Sequence, residues 1–120
     1  MKKFFRKLAS YCVTVYANRR FRKAMKVANS WYEHTKKRYY VITDPRDDSR
    51  LVALTSKDFF KIRRDMGIPS KSLPLAVLKK RCWYYTPNEN GRDLIPAREL
   101  VIRRLAFVKD RLEAAGLLGK

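Results

Sequence analysis

Histidine occurs once in this 120-residue chain, at position 34, and cysteine twice, at positions 12 and 82. A zinc site usually takes four nitrogen or sulfur ligands, so one His and two Cys leave it short. The cysteines lack Cys-x-x-Cys spacing and are too few for a disulfide framework, which favours reduced thiols used as small packing residues. Glycine is also sparse. Gly67, Gly91, Gly116 and Gly119 are too scattered for a phosphate-binding loop or a dinucleotide fingerprint. Asp44, Asp47 and Asp48 cluster, but Arg46 interrupts the alternate acidic positions an EF-hand loop needs. A pair of Cys12 or Cys82 with His34 is the catalytic arrangement left over, and nothing in the sequence brings its members together. The expectation is a protein that is not an enzyme and that takes no cofactor and no metal.

Long apolar runs are missing too. No stretch approaches the roughly 18 apolar residues of a membrane span. Met1-Lys2-Lys3 resembles the start of a signal peptide, with Leu8 to Ala17 as a short apolar region and Val15-Tyr16-Ala17 as a cleavage site. Arg6 and Lys7 interrupt that pattern, so secretion by a signal peptide is not expected. Acidic residues are the remaining scarcity: 11 Asp and Glu against 29 Lys and Arg, a net charge of +18. Self-repulsion at that charge works against a compact isolated molecule, and a polyanionic partner relieves it. Nucleic acid is the first candidate, an anionic membrane the second, an acidic protein surface the third. Residues 1–38 carry twelve of the basic side chains and one acid, Glu33. Lys2, Lys3, Arg6, Lys7, Arg19, Arg20, Arg22, Lys23 and Lys26 are therefore the expected polyanion-binding residues. A merely solvated basic face is the plainer reading of the same pattern.

What is present organises around residues 38–55. Arg38 to Thr43 is aromatic and β-branched, Leu51 to Thr55 is a second apolar run, and Asp44-Pro45 opens a polar turn between them. The pattern predicts a β-hairpin, with residues 81–86 as a third strand. Thr55 to Asp58 has the form of a capping box, followed by Phe59, Ile62 and Met66 on one helical face. Gly67 and Ile68-Pro69 would end that helix, and Ser72-Leu73-Pro74 would open another short one through Lys80. Pro87 to Gly91 is a turn by composition. In the last helix, Ala97, Val101, Leu105, Val108, Leu112 and Ala115 form a tight stripe, predicted to face the core.

Residues 3–36 contain neither Gly nor Pro, which predicts one long helix or two abutting ones. Phe4, Leu8, Tyr11, Cys12 and Val15 fall on one stripe. Phe21, Ala24, Met25, Ala28, Trp31 and Tyr32 fall on another, rotated by more than a third of a turn, with the change at Asn18-Arg19-Arg20. Either the helix breaks there and its first part folds back on the core, or one helix shows different faces to different neighbours. The second case makes residues 1–17 a basic docking segment, in which Phe4, Leu8, Tyr11 and Val15 seat on a partner subunit, and leaves 18–120 as one small domain.

Aromatic and basic residues interleave at Trp31 to Tyr40 and at Lys79 to Tyr85. Rings stacking on bases would use such a pattern, and so would strands alternating between core and solvent; most of these rings are expected in the core. No recognisable nucleic-acid-binding motif occurs, so binding is expected to be directed at the phosphate backbone.

Lys37-Arg38-Tyr39-Tyr40-Val41-Ile42, a short hairpin, a basic helix ending near Gly67-Ile68, Cys82-Trp83-Tyr84-Tyr85-Thr86-Pro87, and Ala97-Arg98 with Arg103-Arg104-Leu105-Ala106 together resemble small basic proteins encoded by tailed phages of gut bacteria. The resemblance spans residues 20–112 at the level of element order. It implies a phage or mobile-element setting, in the virion or the host cytoplasm, and carries over no functional residue.

The fold expected is α+β: a small antiparallel sheet, made of the hairpin plus one strand, packed with a long N-terminal helix and a C-terminal amphipathic helix. The function expected is a structural protein of a multi-subunit, nucleic-acid-containing assembly, contacting nucleic acid or acidic protein subunits. A free nucleic-acid-binding regulator is the alternative.

Overall fold

The computed structural model describes residues 2–44, 47–65 and 75–117. The first element, α1 (Lys2–Thr35), is one continuous helix of 34 residues. At 1.5 Å per residue it is about 51 Å long, and the longest dimension of the molecule is 53 Å. No break occurs at Asn18. With no Gly or Pro to interrupt the backbone ladder, a polar run alone does not end a helix. Lys36, with φ of 57°, turns the chain out of it, and its N–H donates to the Tyr32 carbonyl at 2.7 Å.

Next come β1 (Tyr40–Asp44) and β2 (Asp47–Leu54), an antiparallel pair with Tyr40 opposite Leu54 and Thr43 opposite Leu51. The strand β3 (Tyr84–Tyr85) pairs on the other side of β1, giving the order β2-β1-β3. It is shorter than the 81–86 run suggests, because Arg81 still belongs to the preceding helix. The N–H of Trp83 donates to Val41 O and that of Thr86 to Tyr39 O. Odd residues of β1 thus turn their peptide groups to β3, and even residues to β2. By the register, Val52 and Leu54 pair inward, while Leu51 and Ala53 direct their peptide groups to the free edge of β2.

Both faces of this sheet are covered. Tyr39, Val41 and Tyr84 face a core with Ala17, Phe21 and Ala28 of α1 and with Phe107 and Val108 of the last helix. Tyr40, Leu54 and Tyr85 face a second core with Phe59, Leu78 and Cys82. Phe59 belongs to α2 (Ser56–Asp65), which opens on the expected capping box: Asp58 N–H donates to Thr55 Oγ1 at 3.2 Å and Thr55 N–H to Asp58 Oδ2 at 3.4 Å. Leu78 belongs to α3 (Leu75–Arg81). The expected helix end at Gly67, with Met66 and the 72–74 opening, lies outside the described residues.

The last helix, α4 (Ala97–Ala114), runs antiparallel to α1: Phe21 meets Phe107 at 5.8 Å between ring centres, and Arg6 donates to the Leu117 carbonyl at 3.5 Å. Gly116, with φ of 72°, ends it, and Leu117 N–H returns to Leu112 O at 2.9 Å. Its core face is not the predicted stripe. Val101 is 47 % exposed and Leu105 59 %, and Ala97 and Ala115 are exposed as well. Of that stripe Val108 is buried and Leu112 half-buried, while Leu100 and Phe107 do the packing. The cause is Arg103. Its guanidinium donates to the carbonyls of Lys79 at 3.0 Å and Cys82 at 2.9 Å, where α3 ends, and its Nε donates to Glu99 at 3.1 Å. Satisfying those carbonyls turns a cationic side of α4 inward and the Val101–Leu105 side out.

The rings behave largely as expected. Tyr39, Tyr40, Tyr84 and Tyr85 are buried and Tyr32 and Trp83 half-buried, whereas Trp31 is 46 % exposed and leaves its predicted stripe. Arg38, Lys79 and Arg103 surround the Tyr85 ring at 5.1, 5.4 and 5.2 Å, so these cations serve the fold. No helix among the described residues is long and apolar enough to cross a membrane.

Candidate nucleic-acid interface

Where α1 crosses its face of the sheet, one flank of the helix lies beside the outer edge of β2. Tyr16, Arg19, Arg20, Lys23, Val27 and Trp31 come to this flank of α1, and Arg50 and Leu51 to Ala53 stand opposite. Together they enclose an open groove of about 630 Å³ with an apolar floor. A second hollow, about 560 Å³, continues it toward Cys12 and the end of α4 and shares Tyr16 and Arg20.

The walls are cationic. Arg19, Lys23 and Arg50 are exposed, and Arg20 is half-buried with its guanidinium 5.4 Å from the centre of the Tyr16 ring. Among the described residues no acidic side chain lines the groove, and Arg19, Lys23 and Arg50 form no ion pair. Four like charges around one concavity repel one another, and a polyanion laid between them reverses the sign of that interaction. Two rings border it. Tyr16 is 63 % exposed, and Trp31 rests against Tyr39 at 5.6 Å between ring centres.

Of the nine expected polyanion-binding residues, three meet here: Arg19, Arg20 and Lys23. Arg22 and Lys26 are exposed but do not line the groove. Lys3, Arg6 and Lys7 lie a few turns away around a shallow surface with Ser10. Lys2 opens α1, and its side chain is outside the described residues. The fourth cation of the groove, Arg50, escapes the sequence reading, and Trp31, which that reading sets on the packing stripe of α1, borders the groove instead. Arg50 reaches the groove only through strand register, for which nothing local is a signal.

Three of the four expected docking residues of α1 are left uncovered, and Val15 is not. Phe4, Leu8 and Tyr11 are 65 %, 49 % and 67 % exposed, and Phe5 joins them at 61 %. Cys12 is exposed and Val15 half-buried. Ala17 is buried in the domain core, so the helix passes from uncovered segment to packed body without a joint. The exposed Val101, Ile102 and Leu105 add an apolar strip on α4.

Fold and site define an α+β protein with a cationic, aromatic-edged groove between its long helix and the edge of its sheet. No protein family, curated protein or solved structure matches the chain. Among the described residues no three His, Cys, Asp or Glu side chains converge on a point that would hold a metal ion.

Proposed function

We propose that this chain is a non-enzymatic structural protein of a nucleic-acid-containing assembly, with a tailed-phage particle as the setting its sequence resemblance implies. The groove of Arg19, Arg20, Lys23 and Arg50 carries the reading. It gathers positive charge from two elements distant in sequence, with no acidic side chain among the described residues that line it. Nucleic-acid backbone neutralises such charge without a base-reading motif. The uncovered apolar side of α1, with Lys3, Arg6 and Lys7 beside it, supplies the means of joining neighbouring acidic subunits. Exposed apolar area of this kind is what a subunit contact removes from water.

The test is a salt titration. Affinity for mixed-sequence nucleic acid should fall steeply with salt, with little dependence on sequence. Replacing Arg19, Arg20, Lys23 and Arg50 together by Gln should flatten the log–log slope by roughly three units. Absence of binding at low salt removes nucleic acid as the partner. Mass spectrometry of purified particles should find the chain in stoichiometric amount; presence only in infected cells favours a free regulator instead.

A further inference from the structure

We infer that the groove takes single-stranded nucleic acid, with unpaired bases stacking on Trp31 and Tyr16 while the cations hold the phosphates. This rests on the nucleic-acid reading above and specifies the form of the ligand. Trp is costly to leave in water, yet Trp31 is 46 % exposed although the core lies one helical turn away at Ala28. It is not loose. Its ring leans on Tyr39, whose hydroxyl oxygen lies 3.2 Å from Thr35 Oγ1, and the Thr35 hydroxyl also lies 2.9 Å from the Trp31 carbonyl, to which it donates. The ring is thus held in place before any ligand arrives, so little side-chain entropy remains to be lost on stacking. Tyr16 is set similarly by Arg20 against its ring.

The two rings are 15 positions apart on one flank of α1, about 22 Å along the axis, with Arg19, Arg20 and Lys23 between them. An extended strand laid along the groove passes one ring, then the cations, then the other ring. A duplex cannot use this arrangement, because its bases are stacked inside and reaching one requires unstacking it. The free peptide groups of Leu51 and Ala53 at the β2 edge add donors and acceptors on the opposite wall. Every base has a face that stacks, so sequence preference stays small.

A labelled oligothymidylate and a duplex of the same length separate the possibilities. The single strand should bind at least severalfold more tightly and should quench tryptophan fluorescence. Trp31→Leu should remove the quench and lower single-strand affinity by roughly tenfold, the size of one lost base–aromatic stack. The salt slope should not change, since every cation remains. Trp31→Phe, which keeps a flat ring, should restore most of the affinity, and a melting curve for each variant shows that the fold is intact. Equal affinity for duplex and single strand, or full single-strand affinity in Trp31→Leu, overturns the stacking proposal and leaves the polyanion reading standing. Binding of neither form at low salt, with polyglutamate bound instead, overturns both.

Discussion

At the scale of single residues, the two cysteines illustrate how position decides chemistry. Burial of Cys82 against Leu78 and Tyr85 pushes its thiol up to about 11 from an ordinary 9.0, even with the Arg103 guanidinium nearby. Cys12 is exposed on α1. A thiol reagent at neutral pH should therefore modify Cys12 alone in the native protein and both residues in denaturant. Because the unfolded thiol loses its proton first, stability should decline as pH rises above 9.0. Asp93 works in the opposite sense. Hydrogen bonds from Lys79 and Arg38 hold its carboxyl below its ordinary value of 3.8. Its contribution is present above that pH and is lost as pH falls through the folded-state value. Asp93→Asn should melt lower than wild type at neutral pH, with the difference closing in acid below 3.8. The carboxylate is exposed, so added salt should shrink the difference as well.

At the scale of elements, α4 shows an apolar stripe losing to a set of hydrogen bonds. Phe107 is buried against Phe21 and Trp83, whereas Leu105 looks outward. Phe107→Ala should cost about 3–5 kcal/mol, and Leu105→Ala no more than about 0.5 kcal/mol. Urea unfolding of the two variants decides the orientation of the helix. The ends of α1 differ in the same way. A chain shortened to begin at Ala9 loses Phe4, Phe5 and Leu8, all exposed, and should keep its melting temperature. One shortened to begin at Asn18 also loses the buried Ala17 and should melt lower. If the longer deletion melts unchanged, the contact of α1 with the end of α4 contributes nothing to stability.

At the scale of the whole molecule, net charge opposes compactness. The fold places Arg38, Lys79 and Arg103 around the Tyr85 ring, with Asp93 paired to the first two and Glu99 to the third, and leaves Arg19, Arg22, Lys23, Lys26 and Arg50 on the surface. Screening should therefore raise the melting temperature between low and moderate salt, with no ligand present. A polyanion that binds only the folded state should raise it further by mass action. A melting temperature that falls with added salt would mean that ion pairs outweigh repulsion across the surface.

Much of the fold is decided within a few residues of each position and is therefore legible in the sequence. Arg38 to Thr55 contains its own hairpin, Thr55 and Asp58 cap their own helix, and Phe21 to Ala28 mark the side of α1 that packs. Charge alone also names Arg19, Arg20 and Lys23, though among nine candidates and without bringing these three together. The decisions made only in three dimensions are those between distant segments. Arg103 finds carbonyls some twenty residues back, on a side of α4 that packs Leu100 and Phe107 in place of Val101 and Leu105. Arg50 joins the groove because strand register sets β2 beside α1. Trp31 stays half in water on the groove side of α1, resting on Tyr39. Periodicity weighs apolar content along one helix and has no access to the donors, acceptors and edges that other elements bring to it.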